Sequence, residues 1–519
     1  MDAIDAIMDA FERVDVVVLA APTGSGKTLI GETVGRMLDK NRLYVCSSKI
    51  LQDQFARDYP YARVLKGRSN YPTQLRPDSF HPDDIMGHVS CEDCTWALNE
   101  DDSCRWCEEK KVCPYERAKY AALSARVAVL NTSYLLTEAN GPGRFSKQKF
   151  VIVDEADTLE ASLMNHVSIE VSERRLERFK WQPPSRVTVE DSWLEWLHPA
   201  IADLRDRASR FPDVFDDVRT AREARYITQL QSKLVALRDG IQSGNWVYTG
   251  RGSSDDSRDG RGVSFKPVRV DHIGNDTLWK HSKKWLLMSA TIISSDELMS
   301  SLGYEGGYET VNVRNTFPVE NRRVVYRGST SMSYSNRANG AWDKVASDIS
   351  NDLHSHRDSR VLVHTVSYAL TEHLYNHLSR DSDRPILRYT NATGRDWALR
   401  EYLRNDNAVL LAPSMGRGVD LPDDACRVQM ITKVPFPYTK DRQINKRMYS
   451  QGGRLWYSVQ TIRELVQMCG RAIRSERDWA VTYVYDTQFE RLHAQNRSLF
   501  PDWFREAIIW KERKGNHNG

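Results

Sequence analysis

The sequence predicts an α/β protein with two tandem parallel-sheet domains, the first interrupted by a small cysteine-rich segment and then by a helical one. Three observations predict it. Short apolar runs alternate with helical patterns in both halves of the chain, five of the eight cysteines crowd between Cys91 and Cys113, and residues 165–265 carry apolar residues at helical spacing. A length of 519 residues suggests three or four domains at about 150 residues each. Large cores are therefore possible without covalent staples.

The first run, Val16-Val17-Val18-Leu19-Ala20, reads as a buried strand. Ala21-Pro22-Thr23-Gly24-Ser25-Gly26-Lys27-Thr28 follows at once and leads into the helical pattern Leu29 to Val34. Strand, glycine-containing loop and helix start make a phosphate cradle. Loop N–H groups and the positive helix end surround an anion, Lys27 reaches the β- and γ-phosphates, and the Thr28 hydroxyl ligates Mg²⁺. Ala21 stands where the generic pattern has its first Gly. Leu43–Cys46, Val127–Leu130 and Phe150–Val153 are apolar runs of the kind buried parallel strands need. After the last comes Asp154-Glu155-Ala156-Asp157. An acidic pair at the carboxyl end of a strand beside a phosphate loop has a ready mechanism: Asp154 holds Mg²⁺ through water, and Glu155 orients and deprotonates the attacking water.

The cysteine-rich segment, Tyr71 to Cys113, is rich in Asp, Cys, Pro and Trp and poor in periodic apolar residues, so it cannot bury much of a core by itself. A metal would supply the missing stabilisation. Cys91, Cys94, Cys104, Cys107 and Cys113 are the candidate ligands, and in a reducing compartment such a cluster points to metal rather than disulfides. Cys91-x₂-Cys94 with Cys104-x₂-Cys107 suits a zinc ribbon by spacing alone. In the helical segment Trp193, Trp196, Leu197, Ile201 and Leu204 share one face, and Ile227, Leu230, Leu234, Leu237 and Ile241 share another, so two long helices are expected to pair. Gly250 to Gly262 has linker composition and is expected to be a loop.

Trp285–Met288 resumes the first domain and leads to Ser289-Ala290-Thr291; beyond about Thr316 the alternation restarts with Val361–Val363, Val409–Leu411, Val428–Ile431 and Val481–Val484. This second domain has no phosphate loop, so nucleotide is expected in the cleft between the two. Gln467, Arg471 and Arg474 stand four and three apart and would lie along one helix face, where the arginines would reach a γ-phosphate from across the cleft. An isolated arginine pair also reads as a solvated basic face. Met415 to Pro422 holds Gly418 and Asp420 in a glycine-containing loop after a buried strand, which suits a ligand or a structural turn.

A net charge of +3, from 73 basic and 70 acidic residues, confines any nucleic-acid surface to a local patch. The N-terminus is acidic and amphipathic, unlike a signal peptide, and no run approaches the ~18 apolar residues of a membrane span. A cytoplasmic location without membrane contact is expected. A single-stranded nucleic acid needs a basic groove with aromatic platforms. Arg68, Tyr71, Arg105, Trp106, Lys110 and Lys111 border or lie in the cysteine segment and suit that role, as does ordinary surface charge.

Ala21–Thr28, Asp154–Asp157, Ser289–Thr291, Gly416–Asp420 and Gln467–Arg474 resemble, in order and spacing, motifs I, II, III, V and VI of superfamily 2 helicases. The two insertions narrow the resemblance to the XPD/DinG-like helicases, in which an iron–sulfur domain and an Arch domain interrupt the first RecA-like domain. Lys66–Tyr71, Cys113-Pro114-Tyr115 and Val129-Leu130-Asn131 look like the segments bordering that family's cluster.

The resemblance implies two RecA-like domains, the first in parts 1–70, 114–164 and 266–315 and the second at 316–519, with a metal domain at 71–113 and an Arch-like domain at 165–265. It also implies ATP and Mg²⁺, a [4Fe–4S] cluster on four of the five cysteines, and 5′→3′ unwinding of forked DNA from a single-stranded tail by a monomer. Cys104, Cys107 and Cys113 resemble the last three cluster ligands, with Cys91 or Cys94 as the fourth. Rival expectations are an RNA helicase and a non-hydrolysing nucleic-acid scaffold with a zinc module. The chain departs from the family in having no adenine-reading Gln ahead of Ala21, Thr73 where the first cluster ligand tends to sit, and Asp157 where relatives commonly have His.

Overall fold

The computed structural model describes residues 2–38, 41–72, 90–91, 113–212, 218–250, 262–380, 382–390, 392–413, 421, 423–470, 473 and 476–510. Each apolar run named above is a strand. β1 (Val16–Ala20), β2 (Arg42–Cys46), β3 (Arg63–Val64), β4 (Val127–Asn131) and β5 (Gln148–Asp154) precede the long insertion. The insertion contributes β6 (Ile169–Val171), β7 (Trp246–Gly250) and β8 (Val263–Pro267), after which β9 (Ser282–Ser289) and β10 (Tyr308–Asn312) complete the first sheet. Its order is β10-β1-β9-β5-β2-β4-β3, and every pairing is parallel.

The uninterrupted apolar runs have a simple cause. Val17, Leu19, Tyr44, Ile152 and Leu286 pack on one face of the sheet, and Val18, Leu43, Val45, Val151 and Leu287 on the other. Helices cover both faces, so neither alternate residue is free to be polar. The N-terminal helix Asp2–Arg13 belongs to this cover and buries Ile7, Ala10 and Phe11.

The second domain repeats the plan. β11 (Arg322–Thr330), β12 (Val361–His364), β13 (Ile386–Arg388), β14 (Val409–Ala412), β15 (Val428–Ile431), β16 (Ala480–Asp486) and β17 (Ile508–Ile509) form a second parallel sheet ordered β13-β14-β12-β15-β16-β11-β17. Val361, Val363, Val409 and Leu411 face one layer, and Leu362 and Leu410 the other.

The insertion between β5 and β9 differs from an all-helical reading. Helices Glu190–Ala208 and Val218–Gln242 do pair through the two predicted stripes, but they pack on a three-stranded antiparallel sheet, β6-β8-β7. Trp193 meets Phe265 of β8 edge-on, ring centroids 4.8 Å apart. These strands are three to five residues long and only every second residue of β8 is buried, so they leave no continuous apolar run to read. Among the described residues no helix is long and apolar enough to cross a membrane.

Candidate nucleotide cleft

The phosphate loop turns on Gly24 (φ 79°) and Gly26 (φ 76°), both in the left-handed region. Gly26 sits at the N-cap of helix Lys27–Met37, where an added Cβ would meet no atom within 4 Å, so backbone conformation rather than space demands glycine. Ser25 Oγ donates to Pro22 O at 2.7 Å, and Lys27 Nζ donates to the same carbonyl at 3.1 Å. The loop is thus closed on itself with its cation above it. Ala21 N donates to Ser289 O at 3.1 Å, which joins the start of the loop to the end of β9.

Asp154 ends β5. Tyr44 OH donates to its Oδ2 at 3.1 Å, and its Oδ1 accepts the Glu155 amide at 3.0 Å. Burial pushes the Asp154 carboxyl above its usual range, while Lys27 and Tyr44 pull the other way. Glu155 has φ 53° and ψ 44°, a left-handed conformation rare for a residue with a side chain. Ser47, just beyond β2, donates its hydroxyl to the Glu155 carboxylate. Asp157 is buried, and its carboxylate accepts from Ser289 Oγ at 2.7 Å and Thr291 Oγ1 at 3.1 Å.

The second domain meets this site through helix Gly453–Cys469. Arg463 Nη1 donates to Asp157 O at 2.6 Å. Gln467, one turn on, keeps a buried Oε1 with no hydrogen-bond partner among the described residues. Lys27, Asp154, Glu155, Arg463, Gln467 and Trp503 share the lining of one cleft of about 820 Å³. Arg471, Arg474, Gly418 and Asp420 lie outside the described residues. Thr28 opens the helix beside Lys27, where its hydroxyl suits a cation held with Asp154.

Sequence reasoning missed Tyr44, Ser47, Arg463 and Trp503. Arg463 alone left a usable signal, the four-residue step to Gln467 on one helix face.

At the border of the cysteine segment, Cys91 and Cys113 are buried with their sulfurs 3.9 Å apart. Cys94, Cys104 and Cys107 lie outside the described residues, as do Arg105, Trp106, Lys110 and Lys111. Among the described residues no group of three metal-ligating side chains assembles. The two thiols nevertheless fit a shared centre: they stand 22 residues apart in the chain and converge. Their mutual contact and burial push the Cys113 thiol well up. Arg68 and Tyr71 brace this border. The Arg68 guanidinium lies 4.0 Å from the Tyr115 ring centroid and pairs with Glu116 at 3.4 Å, and Tyr71 meets Tyr115 edge-on at 5.7 Å. With an 11% exposed side chain, Arg68 offers little of its guanidinium to a DNA phosphate.

Two parallel seven-stranded sheets beside a phosphate-loop cleft define an α/β protein with two RecA-like domains. Residues 92–176 match the DEAD_2 family and residues 351–507 the helicase C-terminal domain family. The ATP-dependent DNA helicase YoaA of Escherichia coli (strain K12) is 23% identical over 93% of this chain and 90% of its own. The Fanconi anemia group J protein homolog of Gallus gallus is 30% identical over 21% of this chain and 10% of its own. The chain spans about a tenth of the length of the first curated relatives it matches. A solved XPD helicase structure superposes with a TM-score of 0.65 at 16% identity, covering 98% of this chain and 99% of that one, a likeness of fold. The chain is thus similar in sequence to DEAD_2 and helicase C-terminal domain proteins and in fold to a solved XPD helicase.

Proposed function

We propose that this protein is an ATP-dependent DNA helicase that moves 5′→3′ along single-stranded DNA and unwinds forked duplex. One observation carries the reading: Lys27, Asp154 and Glu155 of the first domain line the same cleft as Gln467 of the second. Lys27 neutralises the β- and γ-phosphates of ATP held by the loop amides, and Glu155 takes the proton of the attacking water. Thr28 and Asp154 would hold Mg²⁺, whose charge offsets that of the phosphates. Arg471 and Arg474 complete the γ-phosphate site when the second domain closes. Each cycle of closure and release then shifts the grip of the two domains along one strand.

Four of Cys91, Cys94, Cys104, Cys107 and Cys113 would hold a [4Fe–4S] cluster, with zinc the alternative, and the group would supply the cross-link that the segment's small core lacks. The metal domain is read as a wedge at the duplex junction.

The test is unwinding of forked DNA with a defined 5′ or 3′ tail, alongside ATPase stimulated by DNA or by RNA. Wild type is expected to open 5′-tailed forks, with Lys27→Ala and Glu155→Gln both inactive. Hydrolysis retained in both variants would refute the site. Stimulation by RNA alone would transfer the motor to RNA, and no turnover at all would leave a nucleic-acid-binding scaffold.

A further inference from the structure

We propose that Arg463 is a positioning residue for hydrolysis: by holding Asp157 from across the cleft it sets the strained turn that aims Glu155. The inference rests on the hydrolytic reading of the cleft given above.

The turn from Asp154 to Thr158 needs holding. Glu155 sits at φ 53°, and a residue with a side chain keeps such a conformation only where its surroundings over-determine it. Several tethers come from the first domain. The Glu155 carbonyl accepts from Thr158 N at 2.9 Å and Thr158 Oγ1 at 2.8 Å. Its amide is bound to Asp154, its carboxylate to Ser47, and Asp157 is fixed by Ser289 and Thr291.

Arg463 adds a tether from the second domain. Its Nη1 donates to the Asp157 carbonyl at 2.6 Å, and its buried Nε, 3.9 Å from Asp157 Oδ2 and without a hydrogen-bond partner among the described residues, adds only charge attraction to the carboxylate. Nη2 donates to Gln460 on the preceding turn of the same helix, which fixes the guanidinium in the plane this bond requires. Glu160, one turn beyond Asp157, is held the same way, by Trp456 Nε1 at 2.9 Å and Arg447 Nη2 at 3.2 Å. The second domain therefore holds the segment following the general base at two levels.

The consequence is a gate. Arg463 and Gln467 ride on one helix, so a retreat of the second domain that withdraws Gln467 from the cleft also releases Asp157. A 2.6 Å bond does not survive a shift of an ångström or more. The base-competent turn is then complete only in the closed cleft. Arg463 is bound to Asp157 and Gln460 rather than to the phosphate loop, so ATP affinity is expected to be insensitive to it.

The experiment compares DNA-stimulated ATPase, binding of a fluorescent ATP analogue and thermal melting in wild type, Lys27→Ala, Arg463→Ala and Arg463→Lys. Arg463→Ala is expected to lower kcat by on the order of 10²-fold, as misplacement of a catalytic group by about an ångström does. KM and analogue affinity should stay within about threefold. Arg463→Lys keeps the positive charge but loses the planar guanidinium that Gln460 orients, so its kcat should fall between wild type and Arg463→Ala. The proposal is overturned if kcat is unchanged, if KM rises in proportion to the lost efficiency, or if both variants lose turnover only together with a lowered melting temperature. Wild type that turns over no faster than Lys27→Ala would sink the hydrolytic reading itself, whereas an active wild type matched by Arg463→Ala sinks only this inference.

Discussion

Ser289 Oγ donates to the buried carboxylate of Asp157 at 2.7 Å, joining the end of β9 to the turn that follows β5. The Ser289 carbonyl also accepts from Ala21 N, so three motifs remote in sequence meet at one residue. Removing the hydroxyl leaves a buried carboxylate short of a donor, with Thr291 still present. Ser289→Ala is expected to cost about 1–3 kcal/mol and to reduce unwinding more than ATPase. Thermal melting with parallel unwinding and hydrolysis assays checks it. Unwinding and hydrolysis falling equally would count against a coupling role.

Glu32 and Arg42 form an ion pair beneath the first sheet with side chains 2% and 3% exposed, and Tyr61 OH donates to the same carboxylate at 2.6 Å. Removing one partner strands the other charge in the core. Arg42→Met is expected to destabilise by roughly 3–5 kcal/mol, nearer the lower end because Arg36 and Tyr61 still reach Glu32. Glu32→Leu combined with Arg42→Met should recover much of that loss. Urea unfolding of the singles and the double decides it, and a double as unstable as the sum of the singles would contradict the pairing.

His281 is buried, its Nε2 3.0 Å from Asn140 Oδ1, and burial holds its pKa below the usual value. A histidine kept neutral contributes its full stability above its unfolded pKa of about 6.5. That contribution is lost as pH falls from there through the lower folded value. Wild type should therefore lose stability between pH 7 and pH 5 more steeply than His281→Gln. Melting temperatures of both proteins across that range measure it, and parallel slopes would remove His281 from the acid response.

Helix Arg442–Tyr449 of the second domain also holds the helical insertion and the chain leaving β8. Arg442 Nη1 donates to Val187 O at 3.2 Å, and the buried Gln443 Nε2 donates to Val268 O at 3.0 Å. Arg442→Ala with Gln443→Ala is expected to speed amide hydrogen exchange at residues 187–190 and 268–270 while exchange in β1 and β5 stays unchanged. Unaltered exchange at the seam would show that these bonds do not hold it.

Cys113 ends the cysteine segment, packed against Cys91 and starting helix Pro114–Leu123. Protein purified without oxygen is expected to be brown, with broad absorbance near ~400 nm. Cys113→Ser should lose that absorbance and the unwinding activity while keeping some ATPase. A colourless wild type with stoichiometric zinc would replace the cluster by the zinc alternative.

Strands β1, β2, β4, β5, β9, β12, β14, β15 and β16 were legible because parallel strands covered on both faces must be apolar at every position, which leaves a continuous run in the sequence. The phosphate loop was legible for a related reason, since its glycines, Lys27 and Thr28 are consecutive. Strands β3, β6, β7, β8, β10, β11, β13 and β17 were not. They are short or half-covered, and their identity comes from the neighbour they pair with rather than from their own pattern.

The sequence by itself thus determined the two-sheet class, the nucleotide loop and the acidic pair, because each is written in residues close together along the chain. Only the tertiary structure decided that Glu155 adopts a left-handed turn, that Arg68 is spent on Tyr115 and Glu116, and that Arg463 meets Asp157. That last contact joins positions 306 residues apart, and no local pattern encodes it. It exists because two separately folded sheets bring one helix and one turn to the same cleft.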